Sequence, residues 1–463
     1  MEHVSTRGQS PPLDFAAATL AGLAPDGGLY LPRAWPRLAP ETFRALASAD
    51  YVTTAARVLA PLTAPVLDEA ALLPLLHRAY DGFAHAAVTP LVQLDSRHWL
   101  LELHHGPTLA FKDLALQLLG QFFARFLEAG GPPLTIIGAT SGDTGSAAIA
   151  AVAGIPGVRI FMLHPHGRVS EVQRRQMTTV VAGNVHNIAV DGSFDDCQAL
   201  VKALFNDPAL RARHRLSAVN SINWARLAAQ TVYYVHAALR LGAPGRALSF
   251  SVPTGNFGDV FAGHVAAEMG LPVERLMVAT NENDILARAL GTGDYSRRRL
   301  TPTQSPSMDI QVSSNFERLI FDLSGRDGAR TAAAMRAFEA EGRLTLWPEL
   351  LAHMRQRFTP ARIDAPDMAE AMRWAWQRCG VLVDPHTAIG LAAARRLEEE
   401  VEGPIVTLAT AHPAKFPDAV EAATGVRPGL PERLADLFDR PERMTRLALC
   451  QARLADFIDR APA

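Results

Sequence analysis

The chain has 463 residues, 48% hydrophobic and 20% charged, with 45 Lys and Arg against 47 Asp and Glu. That length predicts roughly two to four domains with ordinary globular cores. The near-neutral charge gives no electrostatic footprint for nucleic acid or a membrane surface, and the longest apolar runs, such as SAAIAAVAGIPGV, are too short to cross a bilayer.

The start, MEHVSTRGQS, lacks the apolar segment of a secretory leader. Cys197, Cys379 and Cys450 are widely spaced and make neither a disulfide framework nor a metal pattern. A cytoplasmic protein with a small-molecule ligand is the expectation. The first ninety or so residues are rich in Ala, Leu and Pro, and helical periodicity near Glu41–Leu59 and Ala70–Phe83 predicts a separate helical layer. From about Val88, short apolar runs alternate with Gly/Ser/Thr/Asn loops and helical stretches. Leu134–Ile137 reads as a buried strand, followed by GATSGDTG and an Ala-rich helix. Strands are predicted at Val158–Leu163, Val185–Val190, Leu216–Val219, Ala247–Val252 and Ile405–Ala409. Helices are predicted at Arg168–Thr179, near Cys197–Phe205, after NSIN as far as Leu241, and after PTGNFGD; Ala369–Trp376 reads as a packed helix. Thr292–Pro306, rich in Gly, Pro, Ser and Arg, reads as a mobile surface loop, with Arg297–Arg299 solvated. Alternating strands and helices imply βαβ units and parallel sheets, whose ligands bind where strands end and helices begin.

Three such loops carry chemistry. In PTGNFGD, Pro253–Asp259, the glycines at 255 and 258 permit positive φ and close backbone approach, ahead of a helix start that favours anions. Its spacing matches neither G-x-G-x-x-G nor the P-loop, so a nucleoside triphosphate is not expected; the bland reading is a tight βα turn. GATSGDTGSAA, Gly138–Ala148, offers the hydroxyls of Ser141, Thr144 and Ser146 and the amides near Gly142 and Gly145, a set that can hold a carboxylate. Its bland reading is a helix N-cap by Ser141 or Asp143. NSINWAR, Asn220–Arg226, places an arginine one turn into a helix, where it opposes the dipole unless an anion is near; otherwise it is a solvent-facing side chain. In GPTLAFKDLALQLL, one lysine, Lys112, stands among apolar residues. Anion loops plus a buried-looking lysine point to pyridoxal 5'-phosphate, which has both a phosphate and an amine-reactive aldehyde.

At this point a family becomes recognisable. STRGQ, LAPDGGLYLP, HGPTLAFKD, GATSGDTGSAA, GRVSEVQRRQMTT, VNSINWARLAAQTVYY, PTGNFGD, SPSMDIQVSSNFER, DPHTA and ATAHPAKF, in this order and nearly end to end, resemble the threonine synthases. Their fold type is shared with tryptophan synthase β and the serine/threonine dehydratases. The resemblance implies an α/β fold of two open, mostly parallel sheets flanked by helices, with an N-terminal mainly helical layer. The expected divisions are 1–90 for that layer, 91–215 for a smaller α/β domain and 216–463 for a larger one. It implies that Lys112 carries the cofactor as a Schiff base and moves protons at Cα and Cβ. Gly255, Asn256, Phe257, Gly258 and Asp259 then cradle the cofactor phosphate, and Thr410 meets the pyridine nitrogen. Ser141, Gly142, Asp143 and Thr144 take the substrate carboxylate, and Asn220, Ser221 and Arg226 take the substrate phosphate. Other branches of the fold type have asparagine at Asp143, donating to the cofactor's phenolate. An ionised aspartate cannot donate, so capping of the helix is the expectation for Asp143.

The implied reaction is conversion of O-phospho-L-homoserine and water to L-threonine and phosphate. The alternative is a related dehydratase or phospholyase giving 2-oxobutanoate. A cofactor-binding protein without activity is disfavoured by the presence of Lys112 and the complete phosphate set. A metal hydrolase using His104, His105, His386 and His412 is not expected, since adjacent His104 and His105 on a strand would point to opposite faces. A monomer and a homodimer are both compatible with the sequence.

Overall fold

A computed structural model describes residues 1–128 and 133–461. Two parallel sheets organise it. One has the strand order Phe358–Arg362, Val273–Thr280, Leu248–Pro253, Ile405–Ala409, His98–Glu102, Leu91–Gln93. Its neighbours run parallel except the last pair, which is antiparallel. The other has the order Thr445–Leu447, Val185–Val190, Val158–Pro165, Leu134–Ala139, Arg215–Ser217, parallel throughout. Strands such as Leu248–Pro253 and Val158–Pro165 are buried at every residue, because helices cover both faces of a parallel sheet. This is the expected α/β architecture. The sheets do not follow the 91–215 and 216–463 division. Residues 91–102 lie in the six-stranded sheet and Thr445–Leu447 in the five-stranded one, since parallel crossovers let chain ends return to a distant edge.

The strand at Val185–Val190 and the strand at Ile405–Ala409 have the predicted bounds. The periodic stretch Glu41–Leu59 is two helices, Pro40–Ala45 and Tyr51–Thr63. Asp50 separates them by accepting from the Thr53 amide at 2.7 Å, a helix start inside an otherwise continuous apolar pattern. The N-terminal layer also contains an antiparallel strand pair, His3–Ser5 with Tyr30–Pro32. Thr292–Pro306 is tied down rather than a free loop. Asp294–Ser296 pairs with Arg343–Thr345, Asn283 Nδ2 donates to the Thr301 carbonyl at 2.8 Å, and Thr303 Oγ1 donates to Asp309 at 2.7 Å. Arg297–Arg299 themselves are exposed, as expected.

At the centre lies the helix Trp224–Arg240, buried at every residue except Arg240. A helix buried on all sides lies inside the core, although this one carries Arg226, Gln230 and His236 there. It packs against Lys112–Leu127, Tyr51–Thr63 and Gly258–Glu268, so one core joins the N-terminal layer to the sheets. The N-terminal layer also braces the start of this helix. Asn223 Nδ2 donates to the Thr19 carbonyl at 2.9 Å, and Arg318 donates to the carbonyls of Tyr30 at 2.8 Å and Ile222 at 2.6 Å. Thr6 and Arg7 of STRGQ reach Glu317 at 2.6 and 3.1 Å.

Candidate active site

Lys112 opens the helix Lys112–Leu127 and is buried. The preceding turn is pinned from the neighbouring sheet: the Phe111 amide donates to the Thr410 carbonyl at 2.8 Å, and Ala110 bridges to Ala411. The Lys112 amine has two long contacts, Asp143 Oδ2 at 3.3 Å and Ser307 Oγ at 3.4 Å. Burial lowers its pKa, and nearby Lys415 and Arg226 lower it further, while Asp143 opposes. The apolar neighbours therefore favour a neutral, nucleophilic amine.

The glycine loop comes to the same place. Ser307 connects them, since a Cβ on Gly255 would lie 2.8 Å from the Ser307 carbonyl oxygen. Only glycine allows that approach. Ser313 Oγ donates to the Gly255 carbonyl at 2.8 Å, and the Asn315 amide donates to the Asn256 carbonyl at 3.0 Å. The positive φ expected at Gly255 and Gly258 falls instead on Phe257, at 62°, where the ring is anchored between Phe316 and Phe358. Tertiary packing outweighs the local cost of that conformation. The amides that follow open the helix Gly258–Glu268, the positive end of its dipole. Ser221 reaches this point too: its Cβ is 3.7 Å from where a Cβ on Gly258 would stand.

Asp143 does not cap its helix. The N-cap is Gly142, at φ 143°, and a Cβ there would meet Gln173 at 2.4 Å. Thr140 Oγ1 takes the capping part, accepting from the Gly142 and Gly145 amides at 2.9 Å each. First-turn amides at Asp143 and Thr144 are left without helix partners, available to an anion. Ser141 and Thr144 are half-buried on the loop, but Ser146 is buried and turned back onto the Gly142 and Asp143 carbonyls. The Asp143 carboxylate instead lies between two lysines. Oδ1 is 2.9 Å from Lys415 Nζ and 2.8 Å from Gln173 Nε2, which donates to it. Burial alone would raise its pKa; Lys112, Lys415 and the Gln173 amide hold it well below the usual carboxylate range.

Arg226 is buried, not solvent-facing. Nη1 donates to the Val219 carbonyl at 3.0 Å, and buried Nε has no partner among the described residues. Among the described residues no carboxylate pairs with it, and burial pulls the guanidinium down to about 10. A buried cation in that condition calls for an anion. With the glycine cradle and the buried amine, this donor set fits a phosphate-bearing aldehyde and a further anion. Asn220 lies exposed beside it, while Asn223 turns inward as the N-cap.

The sequence of this chain matches three family models in order: "Threonine synthase N terminus" over 2–80, "Pyridoxal-phosphate dependent enzyme" over 83–347, and "Threonine synthase, C-terminal" over 387–458. It is 52% identical to a threonine synthase of Pseudomonas aeruginosa over 99% of this chain and 98% of that one. The chain belongs to the threonine synthase family. A crystal structure of a threonine synthase with bound pyridoxal phosphate, from Brucella melitensis, covers both chains fully with a TM-score of 0.97 at 50% identity. The yeast threonine synthase structure gives a TM-score of 0.94 at 36% identity, over 99% of this chain and 98% of that one.

As a threonine synthase family member, the chain brings further residues to the site that its motifs left without a role. Ser307 sits between Lys112 and Asp143, and its amide donates to His386 Nε2 at 3.2 Å. That fixes the tautomer: His386 Nδ1 carries the proton and donates to Asp384 at 2.6 Å. SPSMD and DPHTA thus meet in space, a contact no spacing of 79 residues could announce. His104 and His105 do not point to opposite faces. The strand ends at Glu102, and the two rings lie 5.0 Å apart, with His412 5.3 Å from His104. Burial, with neighbouring His104, holds His412 down near 3, and burial holds His104 near 4, so both are neutral.

Asp259 is buried at the helix start, with Tyr233 and Tyr234 hydroxyls donating to Oδ1 at 2.5 and 2.9 Å and Oδ2 unpartnered among the described residues. Burial raises it from 3.8 to about 6, partly opposed by the two tyrosines. The folded state therefore holds its proton longer than the unfolded chain, and stability falls as pH rises from 3.8 through about 6. Asp259→Asn keeps an acceptor for the tyrosines and removes that loss. In cofactor-free protein it is expected to raise the melting temperature above pH 6, by at most about 3 kcal/mol of stability, and to flatten its pH dependence between 4 and 6. Thermal scans across that range check it.

Proposed function

We propose that this chain converts O-phospho-L-homoserine and water to L-threonine and phosphate. The observation that carries the reading beyond a plain dehydratase is Arg226, a buried guanidinium with no carboxylate partner among the described residues, in addition to the separate phosphate cradle at Gly255–Asp259. A dehydratase acting on free serine or threonine needs only the cradle.

Pyridoxal phosphate, when bound, supplies an aldehyde for amine condensation and a ring that spreads negative charge from the adjoining carbon. Gly255, Asn256, Phe257, Gly258 and Asp259 would hold its phosphate, Lys112 its aldehyde carbon, and Thr410 its ring nitrogen. The amides at Asp143 and Thr144, with Ser141, hold the substrate carboxylate at the helix start, where the dipole favours it. Arg226, Asn220 and Ser221 hold the substrate phosphate. Once the substrate amine has displaced it, the Lys112 amine removes the proton at Cα, gives that proton up, and then takes one from Cβ as phosphate leaves Cγ. It delivers one proton to Cγ and one to Cα as water adds its hydroxyl at Cβ. A base used repeatedly must cross its own pKa at low cost, and burial brings the amine toward that condition. The buried setting of Lys112 also limits stray protonation by water.

Incubation of the purified protein with O-phospho-L-homoserine, following phosphate and amino acid together, tests the reading. Equal amounts of phosphate and threonine are expected. Phosphate with 2-oxobutanoate and no threonine would assign a phospholyase instead.

A further inference from the structure

Lys415, in ATAHPAKF, is fully buried and has no part in the reaction as derived above. Its ammonium has three partners: the Thr108 carbonyl at 2.6 Å, Gln176 Oε1 at 2.9 Å and Asp143 Oδ1 at 2.9 Å. All three are acceptors, and only a protonated amine can donate to three. The Gln176 amide nitrogen donates to the same Thr108 carbonyl at 3.1 Å, which turns its oxygen toward Lys415. Lys112 contrasts with it, having two contacts of 3.3 and 3.4 Å. Two buried lysines thus share one carboxylate, and they divide its oxygens. Oδ1 is taken by Lys415 and Gln173; Oδ2 is left to Lys112 and Ser307.

We propose that Lys415 is a positioning residue for the Lys112 amine: it is the standing counter-cation of Asp143, which keeps that carboxylate ionised and leaves Lys112 free to give up its proton. With all three groups charged the cluster carries one net positive charge in a dry site; with Lys112 neutral it carries none. Without Lys415, the neutral state of the cluster is the Lys112–Asp143 ion pair, and Lys112 would hold its proton. The other titratable groups facing the cluster are Arg226 toward Lys112, the neutral His386 ring toward Asp143, and Asp113 toward Lys415, with Arg433 beyond Asp113. Asp113 is occupied by the Thr108 amide and hydroxyl at 2.8 and 2.6 Å, so it does not take the place of Asp143.

The proposal rests on Lys112 being the reactive amine, so its test reads that amine directly. Full-length protein freed of pyridoxal phosphate is labelled with trace acetic anhydride over a pH series. Mass spectrometry of the peptide containing Lys112 gives the midpoint of its reactivity. Lys415→Met is expected to move the midpoint up by about one pH unit or more, and Lys415→Arg, which keeps the charge, to restore it. Gln176→Glu, which sets a second carboxylate against Lys415, is expected to shift it the same way and serves if Lys415→Met does not fold. The acid limb of kcat for the holoenzyme, in which the amine is free only once substrate has displaced it, moves with the midpoint. An unchanged midpoint in the folded variants overturns the proposal. Failure of the functional reading is seen separately, as absence of threonine from the wild-type enzyme with these midpoints intact.

Discussion

Lys112→Ala abolishes covalent retention of pyridoxal phosphate and lowers threonine formation by at least about 10³-fold, the scale of a lost general base. Borohydride reduction followed by mass spectrometry, together with the threonine assay, checks it. A reduced cofactor adduct at wild-type level in the mutant would place the reactive amine elsewhere. The size of the effect follows from the setting of the amine. It is buried, with long contacts to Asp143 and Ser307, and among the described residues no second amine has those properties: Lys415 is held by three acceptors. Stability should change little or improve, because the substitution removes a buried polar amine that has only long contacts. Loss of activity with an unchanged or raised melting temperature separates a chemical role from a structural one.

Arg226→Leu raises KM for the phosphorylated substrate by about 30-fold or more, corresponding to loss of charge-assisted hydrogen bonds of about 2 kcal/mol. Cofactor retention should fall much less, since the Gly255–Asp259 cradle does not depend on Arg226. Equilibrium dialysis of the cofactor beside steady-state kinetics distinguishes the two. A KM within twofold of wild type would remove Arg226 from the substrate site. The ligand-free protein gives an independent check. A paired buried charge is costly to break, but among the described residues Arg226 has no carboxylate partner and one hydrogen bond, to the Val219 carbonyl. Leucine there leaves no orphaned anion, so the melting temperature should not drop by the amount expected for a broken buried ion pair.

The alternation of apolar runs with glycine-bearing loops was enough to predict parallel sheets with ligands at the strand ends, because a strand covered on both faces must be apolar throughout. The unusual lysine and the two anion loops were legible for a similar reason: glycine clusters and a lone charge in an apolar run violate the local rules of packing. Helix boundaries were less so. Asp50 splits an apolar pattern that reads as continuous, and Phe257 takes the positive φ expected of its glycine neighbours.

What the chain's sequence determined by itself was its class: the sheet architecture, the family, the cofactor, and the residue types available to the site. These are local or ordered along the chain, so they survive without coordinates. Which groups face one another was decided by the tertiary structure. Asp143 is neither a cap nor free, because Lys415, 272 positions along the chain, closes on one oxygen and Lys112 on the other. Ser307 stands beside Lys112 because Asn281, Asn283 and Asp309 tie down a loop that reads as mobile. Arg226 is buried because the N-terminal layer braces the start of its helix. The charge state of a buried group is set by everything within a few ångströms of it, and only the fold brings those neighbours together.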